Sequence, residues 1–320
     1  MYLCIALGRS LIKMAIKPPQ LQSGDTIGIV TLGSPLAEAT INTGITTLEN
    51  LGFNVVLGNS VYAATGFLAG TPQSRAEDLM NMFENQDVRC ILPTRGGVGV
   101  SAILPFLDFN VIRSNPKIIS GYSDITVLLN VLYEYADLVT MHSLLLLDFN
   151  LNTPSYNYDQ FFNITSATTA PWEITNPPGM SLVSRVPGTV TGPVVGGNLT
   201  SFVDTVGTSF EINTEGKILF LEDTHEPINT VYRYLNHLKL AGKLDDCIGI
   251  LLGQCSNCEA AYGVSYDQLI NEFLVPLGKP IISNLSSGHG EFKAAIPIGA
   301  SVTMNTENLT LTVMEPTVSP

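Results

Sequence analysis

Charged side chains are scarce in this 320-residue chain, and basic ones are the scarcest. Only 13% of the residues are charged, with 15 Lys and Arg against 28 Asp and Glu, so the formal net charge is −13. This balance argues against nucleic acid or an anionic membrane surface as a partner. Apolar runs of eighteen residues or more are also missing, so no segment is expected to span a membrane.

Cysteine is sparse as well. The five cysteines are an odd number without the spacing of a disulfide framework, which favours a reducing compartment and hence a cytoplasmic protein. Cys255 and Cys258 match C-x-x-C, but no second pair accompanies them. We therefore expect structural thiols and no metal site. Residues 1–15 lack a basic leader and a long apolar core, so they are interpreted as an N-terminal extension and not as a signal peptide; a misassigned start over residues 1–13 is the alternative.

Histidine occurs only four times, which leaves few candidates for a general base. His237 lies in a helical stretch and is expected at the surface. His142 follows an apolar strand and is expected either near a site or in the core. His289 is flanked by small residues that leave its ring room to reach a partner, although a solvated loop histidine is an equal alternative. His225 stands among acidic residues and is a rival base.

The most informative feature that is present surrounds Ser123. Residues 116–120 resemble a short buried strand, and the apolar spacing of residues 125–136 predicts a helix. Ser123 would therefore occupy a tight strand-to-helix turn, as in a nucleophile elbow, with Gly121 relieving the crowding. The alternative is a helix N-cap, but Thr126 does not complete a capping box.

A nucleophilic serine also needs a base and an acid that orients the base. The apolar strand over residues 217–221 ends in Glu222, and a carboxylate at the end of a buried strand suits that role. The alternative is an acidic first turn for the helix after Pro227, which fits Glu226 better than Glu222.

The segment from Arg95 to Ala102 is open to two interpretations. Its residues 97–102 satisfy the dinucleotide fingerprint G-x-G-x-x-G/A after a predicted strand. Pro105 interrupts the helix that such a site requires. We therefore favour a second interpretation, in which these glycines let the backbone approach a reacting carbonyl.

Strands alternate with helices from Thr26 to about Thr140, which predicts an α/β domain with a parallel sheet over residues 16–150. Residues 151–186 are rich in Asn, Thr, Ser and Pro and are interpreted as a linker. Strand-like runs dominate residues 187–320, where one clear helix covers residues 228–240. The acid and base candidates belong to this C-terminal domain.

Taken together, these motifs resemble the LD-carboxypeptidase family of serine peptidases, which also contains the microcin C self-immunity proteins. The resemblance covers about residues 16–312. It is carried by the sequences RGGVG at 95–99, GYSDIT at 121–126, GGNL at 196–199, LFLED at 219–223 and GHG at 288–290.

The resemblance implies roles for particular residues. Ser123 would be the nucleophile, Glu222 the acid and His289 the base, and the backbone N–H groups of Gly97 and Asp124 would form the oxyanion hole. It also implies a flavodoxin- or Rossmann-like N-terminal domain, a smaller mixed, barrel-like C-terminal domain and a homodimer. No cofactor is implied.

The implied reaction is release of terminal D-alanine from a murein tetrapeptide. Arg95 is then available to bind the terminal carboxylate, with an ordinary surface arginine as the alternative. A second hypothesis is an immunity amidase that hydrolyses a peptidyl-nucleotide antibiotic, in which Trp172 could stack on adenine; a hydrophobic anchor is the simpler role for Trp172. A third, from another class, is an α/β protein that binds a small ligand or a dinucleotide.

Overall fold

The computed structural model describes residues 15–320. The predicted N-terminal extension, residues 1–15, therefore lies outside the described residues except for Ala15. Ile16 pairs with Leu138 in an isolated bridge, so the described chain begins against the first domain.

The first part of the chain is a doubly wound α/β unit. Its five strands are parallel in the order β2-β1-β3-β4-β5, as in flavodoxin-like folds. Its elements are β1 Thr26–Val30, α1 Glu38–Asn50, β2 Asn54–Leu57, α2 Pro72–Glu84, β3 Val88–Pro93, α3 Phe109–Ser114, β4 Ile118–Gly121, α4 Ile125–Ala136 and β5 Thr140–His142.

Local sequence explains where these helices begin and why they stay in place. Thr71 caps α2 by accepting a hydrogen bond from the Ser74 N–H at 3.1 Å, and Pro72 fits the first turn because its missing N–H is not needed there. Helix α4 is buried along almost its whole length, which explains its nearly continuous apolar sequence.

The segment expected as a linker has secondary structure of its own. It contains α5 Ser155–Ser166, β6 Trp172–Glu173 and β7 Val183–Val186. Strand β6 pairs with a C-terminal strand and β7 closes one edge of the sheet. In residues 151–186, the composition rich in Asn and Thr therefore reflects polar surfaces on helices and strands.

The second part is a mixed α/β unit that continues the same sheet. Its elements are β8 Thr189–Asn198, α6 Leu199–Val203, β9 Ile218–Thr224, α7 Ile228–Leu240, α8 Lys243–Asp246, β10 Gly249–Ser256, α9 Tyr266–Leu269, β11 Ile281–Leu285, β12 Ile296–Ile298, β13 Ser301–Asn305 and β14 Thr310–Val313. The strand order β5-β12-β8-β9-β10-β11-β7 joins the two parts, with β12 antiparallel to β5. The predicted α/β class with two domains is confirmed.

Strands β8, β9, β10 and β11 are parallel, so their carboxyl ends lie at one edge of the sheet. The predicted acid lies near the carboxyl end of β9 and the predicted base follows β11, so this edge is where they can meet. Among residues 15–320, no helix is long and apolar enough to cross a membrane.

The cysteines depart from the prediction at one place. Cys255 and Cys258 form a disulfide, so the expectation of structural thiols is wrong for this pair. They come together because a turn after β10 brings residues three apart to a Cα–Cα distance of 5.4 Å. Cys90 and Cys247 are free and buried, as expected of structural thiols.

Candidate active site

Ser123 lies in the turn between β4 and α4, as the sequence predicted. Its φ of 61° is in the left-handed region, which is unfavourable for a residue with a side chain and is often found at functional sites. The residues on either side, Tyr122 and Asp124, are buried, whereas Ser123 is partly exposed. The turn therefore holds one hydroxyl out of the sheet.

The glycine-rich loop after β3 packs directly on this turn. A Cβ placed on Gly96 would lie 2.7 Å from the Ser123 Cβ and 2.8 Å from the Asp124 nitrogen, so only glycine permits the contact. Within the described residues, neither the Gly97 N–H nor the Asp124 N–H donates to a protein acceptor. Asp124 fixes the loop with its side chain, which accepts from the Val100 N–H at 2.8 Å.

The dinucleotide interpretation of this loop does not fit the structure. The fingerprint leads into Ser101–Phe106, a short 3-10 helix that contains Pro105, so no long α-helix begins behind the glycines. A pyrophosphate site of this type uses the N-terminus of such a helix.

Glu222 is buried inside β9, which continues past it to Thr224. Its Oε2 lies 2.9 Å from Nδ1 of His289. The contact is close because the backbone at Gly288 leaves room: a Cβ there would lie 2.2 Å from that same oxygen. Within residues 15–320, the other oxygen, Oε1, has no hydrogen-bond partner. The structure thus brings together the predicted acid and base, which are 67 residues apart in sequence.

The neighbouring acid, Asp223, serves the fold. Its carboxylate accepts from Asn198 Nδ2 at 3.0 Å and from Thr200 Oγ1 at 2.9 Å, and so joins β9 to the start of α6. Burial raises the pKa of Asp223 to about 6. Its side chain is therefore committed to backbone and side-chain donors.

The other histidines are placed differently. His237 is exposed on α7, as predicted. His225 is also exposed, with Nε2 3.5 Å from Asn257 Nδ2, and no contact with Glu222 is found for it among the described residues. His142 is buried at the end of β5, where its ring meets Phe220 edge to face at 5.0 Å.

His142 should make folding sensitive to acid. Burial lowers its pKa from 6.5 to about 4. Between these values the unfolded chain binds the additional proton, so stability falls as pH drops through this window, by roughly 3 kcal/mol for this group. We expect His142→Phe to reduce that loss, measured by urea unfolding at pH 7 and pH 4.5. Buried carboxyls such as Asp223 act in the opposite direction in both proteins, so the difference isolates His142; equal pH dependences would contradict the assignment.

Arg95 begins the glycine-rich loop. It is partly buried, and among residues 15–320 its Nε has no hydrogen-bond partner. Its charge acts on the hydroxyl of Tyr122, whose pKa burial raises and Arg95 lowers. The Nε of Arg95 is therefore a buried donor without a protein acceptor among the described residues.

Three residues near the base were not predicted from the sequence. The ring of Tyr122 meets the His289 ring edge to face at 5.0 Å. Buried Asp148 accepts from the Tyr122 hydroxyl at 3.3 Å and lies 3.7 Å from Lys293 Nζ. The position of Tyr122 beside Ser123 was a usable signal, but nothing local marks Asp148 or Lys293.

A cavity of about 510 Å³ is lined by the C-terminal halves of β10 and β11. Gln254 lines it and comes within 2.1 Å of where a Cβ on Gly290 would be. Arg185 and Asp267 form an ion pair on its wall. Among the residues described, no group of three or more His, Cys, Asp or Glu is placed to hold a metal ion.

Comparison with known proteins identifies the family of this chain. The LD-carboxypeptidase N-terminal domain matches residues 27–143, and the LD-carboxypeptidase C-terminal domain matches residues 191–304. A probable murein peptide carboxypeptidase of Bacillus subtilis is 37% identical, over 94% of this chain and 95% of its own length. The murein tetrapeptide carboxypeptidase of Pseudomonas aeruginosa is 28% identical, over 88% and 94%.

A solved structure is similar over nearly all of the chain. The microcin self-immunity protein MccF in complex with aspartyl sulfamoyl adenosine superimposes with a TM-score of 0.88 at 27% identity, covering 95% of this chain and 100% of that one. The strained serine turn, the Glu222–His289 pair and the two domain matches thus lead to one conclusion: this chain belongs to the LD-carboxypeptidase family and is an enzyme of the serine peptidase type.

Proposed function

We propose that this protein is a serine carboxypeptidase that releases terminal D-alanine from murein tetrapeptides with Ser123, His289 and Glu222 as its catalytic triad. The observation that carries the proposal is the 2.9 Å contact between His289 Nδ1 and Glu222 Oε2, with the His289 ring centre 5.0 Å from that of Tyr122, the residue before Ser123. The names of the carboxypeptidase relatives support the murein substrate.

The Glu222 contact determines which ring nitrogen of His289 carries a proton. A buried carboxylate accepts, so the proton of neutral His289 is on Nδ1 and the lone pair is on Nε2. Nε2 takes the proton of the Ser123 hydroxyl as Oγ attacks the carbonyl carbon. Glu222 then stabilises the imidazolium by its charge.

The second half of the reaction returns that proton. As the tetrahedral intermediate collapses, the carbon–nitrogen bond breaks and the imidazolium protonates the departing amine of D-alanine. Water, deprotonated by His289, then attacks the acyl ester and Ser123 Oγ recovers a proton. The N–H groups of Gly97 and Asp124, which lack protein acceptors in the described chain, would stabilise the oxyanion in both steps.

Arg95 provides the recognition that a carboxypeptidase requires. The free carboxylate of the terminal D-alanine is adjacent to the scissile bond, and a guanidinium can meet both of its oxygens. Arg95 directly precedes Gly96, which packs against Ser123, so its side chain starts from backbone close to the reacting carbonyl.

The test is incubation of the protein with murein tetrapeptide and measurement of free D-alanine. Arg95→Met should lower kcat/KM by an amount that corresponds to a loss of about 1.5–3 kcal/mol in transition-state stabilisation, the range for a hydrogen bond to a charged group. The tetrapeptide with an amidated C-terminus is the control: it should be a poor substrate, and the substitution should hardly change its use. Equal losses on both peptides would assign Arg95 to the support of the loop. Faster hydrolysis of the amidated peptide by the unaltered protein would contradict a carboxypeptidase.

The second candidate is a microcin-type amidase, favoured by the fit to the nucleotide-bound immunity protein. Trp172 does not support it, because it packs against the hydrophobic core from β6, which pairs with β14. Hydrolysis of an aminoacyl sulfamoyl adenosine without release of D-alanine from the tetrapeptide would favour the amidase.

The proposal includes a cytoplasmic homodimer. The dimer rests on the family resemblance. The cytoplasmic location rests on the free thiols of Cys90 and Cys247. The Cys255–Cys258 disulfide counts against a reducing compartment. Light scattering at several concentrations measures the oligomeric state, and fractionation of cells measures the location.

A further inference from the structure

The base His289 lies on a loop whose two ends are tied together. The loop joins β11 to β12, and the Ala294 N–H donates to the Ser286 carbonyl at 2.6 Å while the Ser287 hydroxyl donates to the Ala294 carbonyl at 2.7 Å. These bonds close the base of the loop. They do not hold the middle of the loop, where the His289 imidazole must keep one position relative to Ser123.

Part of the answer is a buried amide on α5. Asn157 Nδ2 donates to the Glu291 carbonyl at 2.9 Å, and Asn157 Oδ1 accepts from the Lys293 N–H at 2.8 Å. This side chain holds the backbone two to four residues beyond His289. Among the described residues, Asn157 makes no hydrogen bond to the Ser123 turn, so another group must join the loop to that turn.

Lys293 is placed to do this. Its side chain is 11% exposed, and Nζ donates to the Gly290 carbonyl at 2.7 Å, next to the base. The same ammonium lies 3.7 Å from Asp148 Oδ1 and 5.3 Å from the centre of the Tyr122 ring. Two of its partners, Asp148 and Tyr122, thus belong to the domain that carries Ser123. The third, Gly290, directly follows His289.

The partners are themselves joined. Asp148 accepts from the Tyr122 hydroxyl at 3.3 Å and from the Leu145 N–H at 3.0 Å, so its carboxylate cannot follow the lysine freely. Tyr122 in turn is adjacent to Ser123 and touches the His289 ring at 5.0 Å. Movement of the ammonium would therefore change the position of the imidazole relative to the serine.

From these contacts we propose that Lys293 is a positioning residue, whose ammonium fixes the His289 loop against Asp148 and Tyr122 so that the imidazole meets Ser123. The inference rests on the proposed function, since it concerns the same serine and base. It does not depend on the identity of the peptide, because any reaction of the serine that needs the base needs the same alignment.

The chain offers a closely matched control. Lys217 is also 11% exposed, lies 3.0 Å from Glu134, donates to the Asn213 carbonyl at 2.8 Å and sits 5.3 Å from the Tyr133 ring centre. It has the same three kinds of contact away from the Glu222–His289 pair. Lys217→Met therefore reproduces the loss of a half-buried cation without disturbing the His289 loop.

The experiment compares Lys293→Met, Lys293→Arg and Lys217→Met in the full-length protein. The first readout is kcat and KM for D-alanine release from murein tetrapeptide. The second is the rate at which a fluorophosphonate labels Ser123, where Oγ displaces fluoride from phosphorus with the help of the base. Urea unfolding of each variant measures the structural cost separately.

We expect Lys293→Met to lower kcat and the labelling rate together by about tenfold to a hundredfold, because a small misplacement of a catalytic group has effects of this size. KM should change less than about threefold, since the lysine does not reach substrate, and Lys293→Arg should restore most of the rate. Lys217→Met should keep wild-type kcat even if its unfolding midpoint falls as far. Should Lys293→Met not fold, Lys293→Gln, which keeps a donor, takes its place.

The proposal is overturned if Lys293→Met keeps kcat and labelling within about twofold of wild type, or if Lys217→Met loses as much of either. Failure of the proposed function looks different. In that case the wild-type protein releases no D-alanine but is still labelled at Ser123, and the labelling arm decides on Lys293 alone. A wild-type protein that shows neither reaction overturns both proposals.

Discussion

Ser123→Ala is expected to abolish release of D-alanine, with a loss in kcat of about a thousandfold or more, as for other triad nucleophiles. The change removes one partly exposed hydroxyl and leaves the fold intact, because alanine can occupy the same turn at a similar conformational cost. Steady-state kinetics and equilibrium binding of the tetrapeptide measure the two effects. Turnover within roughly tenfold of wild type would remove Ser123 from the mechanism.

Ser123→Gly is the companion variant, because the serine has a φ of 61° that glycine adopts without strain. Both variants should lack activity, but the glycine variant should be more stable than the alanine variant by about 1 kcal/mol in urea unfolding. Equal stabilities would show that the turn carries little backbone strain.

Glu222→Gln is expected to lower kcat by roughly a thousandfold to ten-thousandfold with little change in KM. The neutral amide keeps the size of the side chain and can still accept a bond from His289 Nδ1, but it cannot stabilise the imidazolium by charge. Burial strengthens the effect, since Glu222 is 1% exposed and water cannot replace the lost charge.

Two neighbouring acids serve as controls for this prediction. Glu226→Gln, at a partly exposed position, should leave kcat near the wild-type value. Asp223→Asn should mainly lower the stability of the fold, because the carboxylate joins Asn198 and Thr200 to β9. A large loss of kcat in Glu226→Gln with a mild one in Glu222→Gln would reverse the assignment of the acid.

Much of the fold could be predicted because the relevant information is local. Helix α4 spans 125–136 and α7 spans 228–240, as the apolar spacing indicated, since burial of one face of α7 leaves a helical period and burial of nearly all of α4 leaves an almost continuous apolar run. The strand ends were less accurate: β9 runs on through Glu222 and Asp223, because hydrogen-bonded neighbours on both sides let a strand keep acidic residues.

The candidate site was only partly predictable for the same reason. The turn at Ser123 follows from its own neighbours, whereas the order of strands that places the acid and the base at one edge comes from the structure. The 151–186 segment was predicted as a linker from its composition, yet Asn157 within it holds the loop that carries His289. Composition reports average polarity, and a single buried amide does not change that average.

By itself the sequence determined the local frame of this protein: a serine on a strand-to-helix turn, a glycine-rich loop after β3, an acid in a buried strand, and an α/β class. Only the tertiary structure decided which groups meet, because contacts such as Glu222 with His289, Lys293 with Asp148 and Cys255 with Cys258 depend on where the chain packs and turns. The two long-range contacts bury charged groups, and a buried charge is tolerated only with a partner at hydrogen-bonding or ion-pairing distance. That distance is set by packing across the sheet and not by any spacing along the chain.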